Sequence, residues 1–339
     1  MRRRSLNALL VAAFALAALA VAVVWHGDRD VSSAPRGELA MPGFADKLAT
    51  LDFLRLRRGN LTVNLKRRDG SWIVVEKGGY PADQGRVRKL LLQLAELELV
   101  EPKTDQHDLL ARLGLDDPAK GKSTLVVAGN SSGTLPEQIV IGRSRPSAIE
   151  GDEEGVYVRK PDSDQAWLAR GSFTLGGGAL SWLDRRIIDI PAVRVASVVL
   201  TAPDGNSATI ARGSADQPFA IDRLAPDARP KPDEALAAPA GALEALDLDN
   251  VKPAAEETIP QNGTATAAFT TFDGLVIGLR LSPPDKGNWL EINVTGDGKA
   301  AAQAKTLSAR LAPWRFAIPE ERAKLLRTTL ADLLLPRGS

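Results

Sequence analysis

Phe53-Leu54-Arg55-Leu56, Leu61-Thr62-Val63-Asn64-Leu65 and Trp72-Ile73-Val74-Val75 follow one another, with Gly59-Asn60 and Asp69-Gly70 in the gaps. Apolar residues alternate with polar ones along the first two runs, which puts successive side chains on opposite faces of a strand. Asn or Asp beside Gly tolerates the positive φ that a tight hairpin needs. From Tyr80-Pro81-Ala82-Asp83 the period changes: Val87, Leu90, Leu91, Leu94 and Leu97 recur at the spacing of one helix face. Three hairpin strands followed by an amphipathic helix predict an antiparallel sheet with a helix packed on it, which is the α+β class.

The pattern continues and then recurs. Strands are predicted at Thr124–Ala128, Gln138–Ile141, Val156–Arg159 and Ala166–Leu168. Ser197–Thr201, Ala208–Ala211 and Phe219–Asp222 then repeat the opening, with Asp204-Gly205 at the first turn. Pro232–Leu246 reads as a helix, entered through the Pro/Ala-rich stretch 224–240. Ala265–Thr270, Leu275–Leu281 and Leu290–Val294 follow as strands, and Pro319–Leu335 as a closing amphipathic helix. Trp72 and Phe219 share the sequence offset of Trp167 and Trp314. These matches predict two tandem copies of an antiparallel-sheet-plus-helix unit of about 145 residues, spanning 45–191 and 192–335. The competing reading is that any α+β chain can show this order twice by chance.

Before the first strand stand Arg2, Arg3 and Arg4, then an apolar run from Leu6 to Trp25 broken by Asn7. Twenty helical residues reach about 30 Å, the thickness of the hydrocarbon core. Residues 1–26 therefore predict a cytoplasmic arginine stub and a transmembrane signal-anchor. The arginines hold the N-terminus inside and Trp25 sits at the outer interface. Residues 27–44 form a linker, and the bulk of the chain lies in the periplasm of a bacterial inner-membrane protein. The alternative is a cleaved signal peptide, for which Ala20-Val21-Ala22 would be the site.

Composition excludes several classes of function. There is no cysteine, so a lipoprotein anchor, disulfides, thiolate metal sites and cysteine nucleophiles are all ruled out. The 43 basic and 42 acidic residues give a net charge of +1 with no basic stripe, which leaves nucleic-acid binding without electrostatic support.

No motif assigns a catalytic, cofactor-binding or metal-ligating residue. The two histidines, His26 and His107, lack the further ligands of a zinc site; His107 beside Asp105 and Asp108 reads instead as a solvated helix start with an Asp cap. Glu150-Gly151-Asp152-Glu153-Glu154 lacks the ligand order of a calcium loop. Gly176-Gly177-Gly178 is a turn and not a phosphate loop. The one local run suited to recognition is Trp182-Leu183-Asp184-Arg185-Arg186, because Trp and Arg dominate interface hot spots. Trp182, Asp184, Arg185 and Arg186 are the candidate partner surface. The competing reading is a buried Trp182 with Asp184 paired to an arginine.

Four strings in order resemble a bacterial family, the domain of unknown function 4340. They are Tyr80-Pro81-Ala82-Asp83 leading to Glu101-Pro102-Lys103-Thr104; Leu113-Gly114-Leu115-Asp116-Asp117-Pro118; Ile141-Gly142 with Val156-Tyr157-Val158-Arg159; and Trp182 through Pro191. The resemblance covers about residues 45–335, and the second copy lacks the Gly-Leu-Asp-x-Pro string. It implies a single N-terminal anchor and an accessory role beside the permease and auxiliary subunit of a gliding-motility-type ABC transporter, with no catalytic residue. The expectation is a non-enzymatic, membrane-tethered accessory or adaptor protein. An envelope enzyme using paired carboxylates on glycan or lipid, and a structural envelope scaffold, are the alternatives.

Overall fold

A computed structural model describes residues 37–131, 136–145 and 154–336. The arginine stub, the apolar run with Trp25, most of the linker and most of the acidic cluster at 150–154 lie outside the described residues. Among the described residues, no helix is long and apolar enough to cross a membrane.

The chain is α+β, with mostly antiparallel sheets and few helices. The first sheet is built from β1 (Phe53–Arg58), β2 (Leu61–Arg68), β3 (Ser71–Val74), β4 (Tyr80–Pro81), β5 (Glu98–Pro102), β6 (Thr124–Gly129), β7 (Glu137–Arg145), β8 (Gly155–Arg159) and β9 (Trp167–Arg170). Its order is β4-β3-β2-β1-β6-β7-β8-β9-β5. A two-stranded ribbon pairs β10 (Arg186–Ile188) with β14 (Leu246–Asp247). The remaining strands are β11 (Val195–Thr201), β12 (Ser207–Ala211), β13 (Ala220–Ile221), β15 (Asn250–Pro253), β16 (Ala265–Thr271), β17 (Leu275–Leu281), β18 (Trp289–Gly296) and β19 (Trp314–Ala317). They form an eight-stranded sheet in the order β13-β12-β11-β16-β17-β18-β19-β15. Apart from β4, the two large sheets have the same strand order.

The hairpins follow their turn residues. Arg68 pairs with Ser71, which leaves Asp69 and Gly70 as a two-residue loop. Both have positive φ, 50° and 81°, as a type I′ turn requires. In the second sheet, β16 and β17 alternate buried and half-exposed residues without a break, so one face makes the core and the other faces outward. Phe269, Ile277, Leu275 and Leu290 are buried on the core face.

The helices are α1 (Phe44–Lys47), α2 (Gln84–Ala95), α3 (Asp233–Ala237), α4 (Ala301–Leu311) and α5 (Glu320–Leu326). In α2 the predicted face is the buried one: Val87, Leu90, Leu91 and Leu94. Arg86 and Gln93 tie the helix to the carbonyls of Thr174 and Ser172. Two predicted helices are shorter than expected. The Pro232–Leu246 helix is only α3, continued as a 3-10 helix over Ala238–Leu243. Pro239 has no N–H to extend the α ladder, and its ring crowds the preceding turn. The Pro319–Leu335 helix stops at Leu326. Beyond it Asp332 accepts from the Thr329 N–H and hydroxyl and starts a separate 3-10 turn, Ala331–Leu333. Helix α4 was not predicted.

The chain forms two compact units. Of the described residues, one comprises 37–64 with those of 85–176, and the other 65–84 with 177–336. Residues 177–191 group with the second unit, and so does the hairpin 65–84. Buried contacts, not position in the order of elements, decide where a segment belongs.

Candidate functional site

Within the second unit, two of the family-like strings are joined. The Asp83 N–H donates to the Trp182 carbonyl (2.8 Å), and the Asp184 N–H donates to the Pro81 carbonyl (3.0 Å), with a bridge between Ala82 and Leu183. The same run is tied on its other side. The Leu248 N–H donates to Arg185 O, the Ile190 N–H to Leu243 O, and the Ala245 N–H to the Asp189 carboxylate.

The Trp182 side chain is 0% exposed, so it supplies core and no contact surface. Asp184, Arg185 and Arg186 are exposed. The two arginines are engaged internally: Arg185 donates twice to Leu248 O, and Arg186 Nε donates to Asp247 Oδ1 (2.7 Å). Arg310, on α4, donates to the Arg186 and Ile187 carbonyls. Of the predicted partner surface, only Asp184 and the two arginines face outward.

Tyr80, which opens the first string, is buried edge-to-face against Trp314 (5.0 Å between ring centres) and Phe316. Burial, reinforced by the negative Asp184 and opposed by Arg310, pushes its hydroxyl well above the usual tyrosine range.

The other two strings meet in the first unit, where they make a cleft of about 460 Å³ lined by Ala111, Gly114, Asp116, Lys120, Gly121, Lys122, Gly142 and Arg143. Gly114 ends the 3-10 helix His107–Leu113 at φ 68°, a position that glycine reaches without steric cost. The Asp116 carboxylate accepts the backbone N–H groups of Lys122 (3.1 Å) and Ser123 (3.1 Å), and Asp117 accepts that of Ala119. A Cβ on Gly121 would lie 1.9 Å from Asp116 Oδ2, so glycine is what lets the carboxylate seat there.

Strand β7 supplies the opposite wall. Its register against β8 shifts between Ile141 and Ser144, which is a bulge that carries Gly142 and Arg143. A Cβ on Gly142 would stand 2.6 Å from the Leu113 carbonyl and 2.9 Å from the Gly114 carbonyl. The Gly-Leu-Asp-Asp-Pro loop thus lies directly on the bulge. Buried Arg159 anchors it from beneath, donating to Leu115 O and to the carbonyls of Lys160, Pro161 and Ser163. The sequence reading did not single out Lys120, Lys122 and Arg143. The signal lay in their positions just after two glycine-bearing strings, Gly114 to Pro118 and Ile141-Gly142.

A second groove, of about 490 Å³, lies on the outward face of β11, β16, β17 and β18, where Thr266, Ala268 and Gly278 leave room. Its charges satisfy one another: Glu291 takes Arg280 at 2.9 Å and Arg315 at 2.8 Å.

His107 is exposed and its Nδ1 lies 3.0 Å from Asp164 Oδ1, while Gln106 stands at the cap position without a side-chain bond, in place of the expected Asp cap. Among the described residues no group of three or more His, Asp or Glu side chains could hold a metal ion. A carboxylate pair that cleaves glycan needs an acid held above its usual pKa. The displaced carboxylates among the described residues go the other way. Hydrogen bonds from Asn206, Ser214, Thr271 and Thr329 hold Asp204, Asp216, Asp273 and Asp332, respectively, below the usual range.

No curated protein matches the chain. A family profile described as a domain of unknown function, DUF4340, matches residues 72–261, more than half of the chain and a span that contains all four strings. With more than half of its length matched, the chain belongs to the DUF4340 family.

Proposed function

We propose that this protein is a membrane-tethered, non-enzymatic accessory component of an ABC-transporter-type complex, working on the outer side of a bacterial inner membrane. The observation that carries the reading is the N-terminus. Arg2, Arg3 and Arg4 precede an apolar run long enough to span the bilayer, and only residues 27–36 stand between it and the segment 37–40, which bonds to β5. Even fully extended, ten residues reach only about 35 Å, which keeps the folded part near the outer face of the membrane. Family membership supports the reading, because the family resemblance implies a permease and an auxiliary subunit as companions.

The extracytoplasmic part is two tandem copies of one α+β unit. The shared strand order of the two large sheets supports this, as do their corresponding edge strands β5 and β15, each of which ends in a proline. Low identity between the copies fits a division of labour. The Gly-Leu-Asp-Asp-Pro loop that walls the cleft has no counterpart string in the second copy, and α4 lies between β18 and β19, whereas among the described residues β8 and β9 are joined without a helix.

Co-purification tests the reading. The full chain, captured from membranes in mild detergent after crosslinking, is expected to bring an ABC permease or its auxiliary subunit with it. Recovery of the intact chain without either contradicts the proposal.

A further inference from the structure

We propose that the cleft between the Gly114–Lys122 loop and the β7 bulge binds a phosphate group. Lys120, Lys122 and Arg143 line it, all three exposed, and none has an ion-pair partner among the described residues. The one acid in the lining, Asp116, is fixed by two backbone N–H groups and is not free to swing onto a cation. Three cations against one carboxylate leave an excess of two positive charges around a cleft of about 460 Å³.

A phosphate monoester carries about −1.5 to −2 charges near neutral pH and offers three acceptor oxygens, which matches that excess. A single carboxylate would leave one cation unmatched. Arg143 offers the planar fork that grips phosphate through two parallel bonds, and the two lysines act as point charges. The bulge supplies the aim, since an extra residue in a strand redirects its side chain out of the ladder. A polyanion such as nucleic acid would need a basic track, and a chain with a net charge of +1 and no basic stripe provides none. The phosphate can belong to a soluble ester or to a lipid headgroup.

The test is calorimetric titration of the full chain in a non-ionic detergent, with glycerol 1-phosphate in one arm and dioctanoyl phosphatidic acid in the other. Saturable binding in at least one arm, weakening as salt rises, is the expected result. Equal affinity in both arms assigns the site to the phosphate alone, and tighter binding of the lipid assigns it to a headgroup. R143Q and the double variant K120Q/K122Q should each lower affinity by about tenfold or more. K305Q, which removes an exposed lysine in the other unit, should leave it unchanged. All these side chains are exposed, and unchanged thermal unfolding verifies that the variants fold. No saturable binding in either arm, or an equal loss in K305Q, overturns the proposal. The site does not depend on the transporter reading, so its failure leaves the co-purification result standing.

Discussion

At the scale of single residues, the side chains that matter most are held internally. Trp182, which in sequence reads either as a hot-spot anchor or as a core residue, is fully buried. Sequence cannot separate the two cases, because a large aromatic beside arginines serves either a core joint or an interface. Tyr80 gives the joint a measurable signature. Its hydroxyl keeps its proton in the folded chain at a pH where an unfolded tyrosine, near pH 10, has lost it. Above pH 10 the unfolded state therefore binds fewer protons, and stability falls as pH rises, by up to about 1.4 kcal/mol per pH unit from this group. Urea unfolding midpoints at pH 8 and pH 11 check this. Y80F should show a shallower alkaline decline than the parent, and equal slopes would mean that Tyr80 is not the group responsible.

At the scale of elements, legibility follows burial on one face. The strands β1, β2, β6, β16 and β17 alternate clearly and were readable, as was the buried face of α2. The strands β5 and β15 at the ends of the sheets were not read, because each is short and ends in a proline, which leaves a mixed burial pattern. Helix α4 escaped because its buried positions include alanines such as Ala304, which carry little hydrophobic periodicity. The cleft could not be read either. It exists only where the β7 bulge meets the Gly114 loop, and sequence does not show which distant glycines touch. That joint makes G142A informative. The new methyl would meet two backbone carbonyls at under 3 Å, and something must shift, at a cost of about 1–3 kcal/mol. Chemical denaturation should show that loss, and a fully stable G142A would mean that the loop does not rest on the bulge.

At the scale of the whole molecule, the two large sheets share a strand order and the DUF4340 match runs from the first across the Trp182 joint into the second. The four strings act as structural joints, each locking one segment of the chain against another. They therefore explain the fold better than they name a reaction. Partners are met at outward surfaces, of which the Asp184–Arg186 edge is the one the sequence had marked. The most direct test places a photo-activatable amino acid at exposed Asp184 of the full chain and irradiates living cells. Adducts with an ABC permease or its auxiliary subunit are expected. Adducts only with soluble envelope proteins, or none from a chain that is folded and membrane-bound, would contradict it.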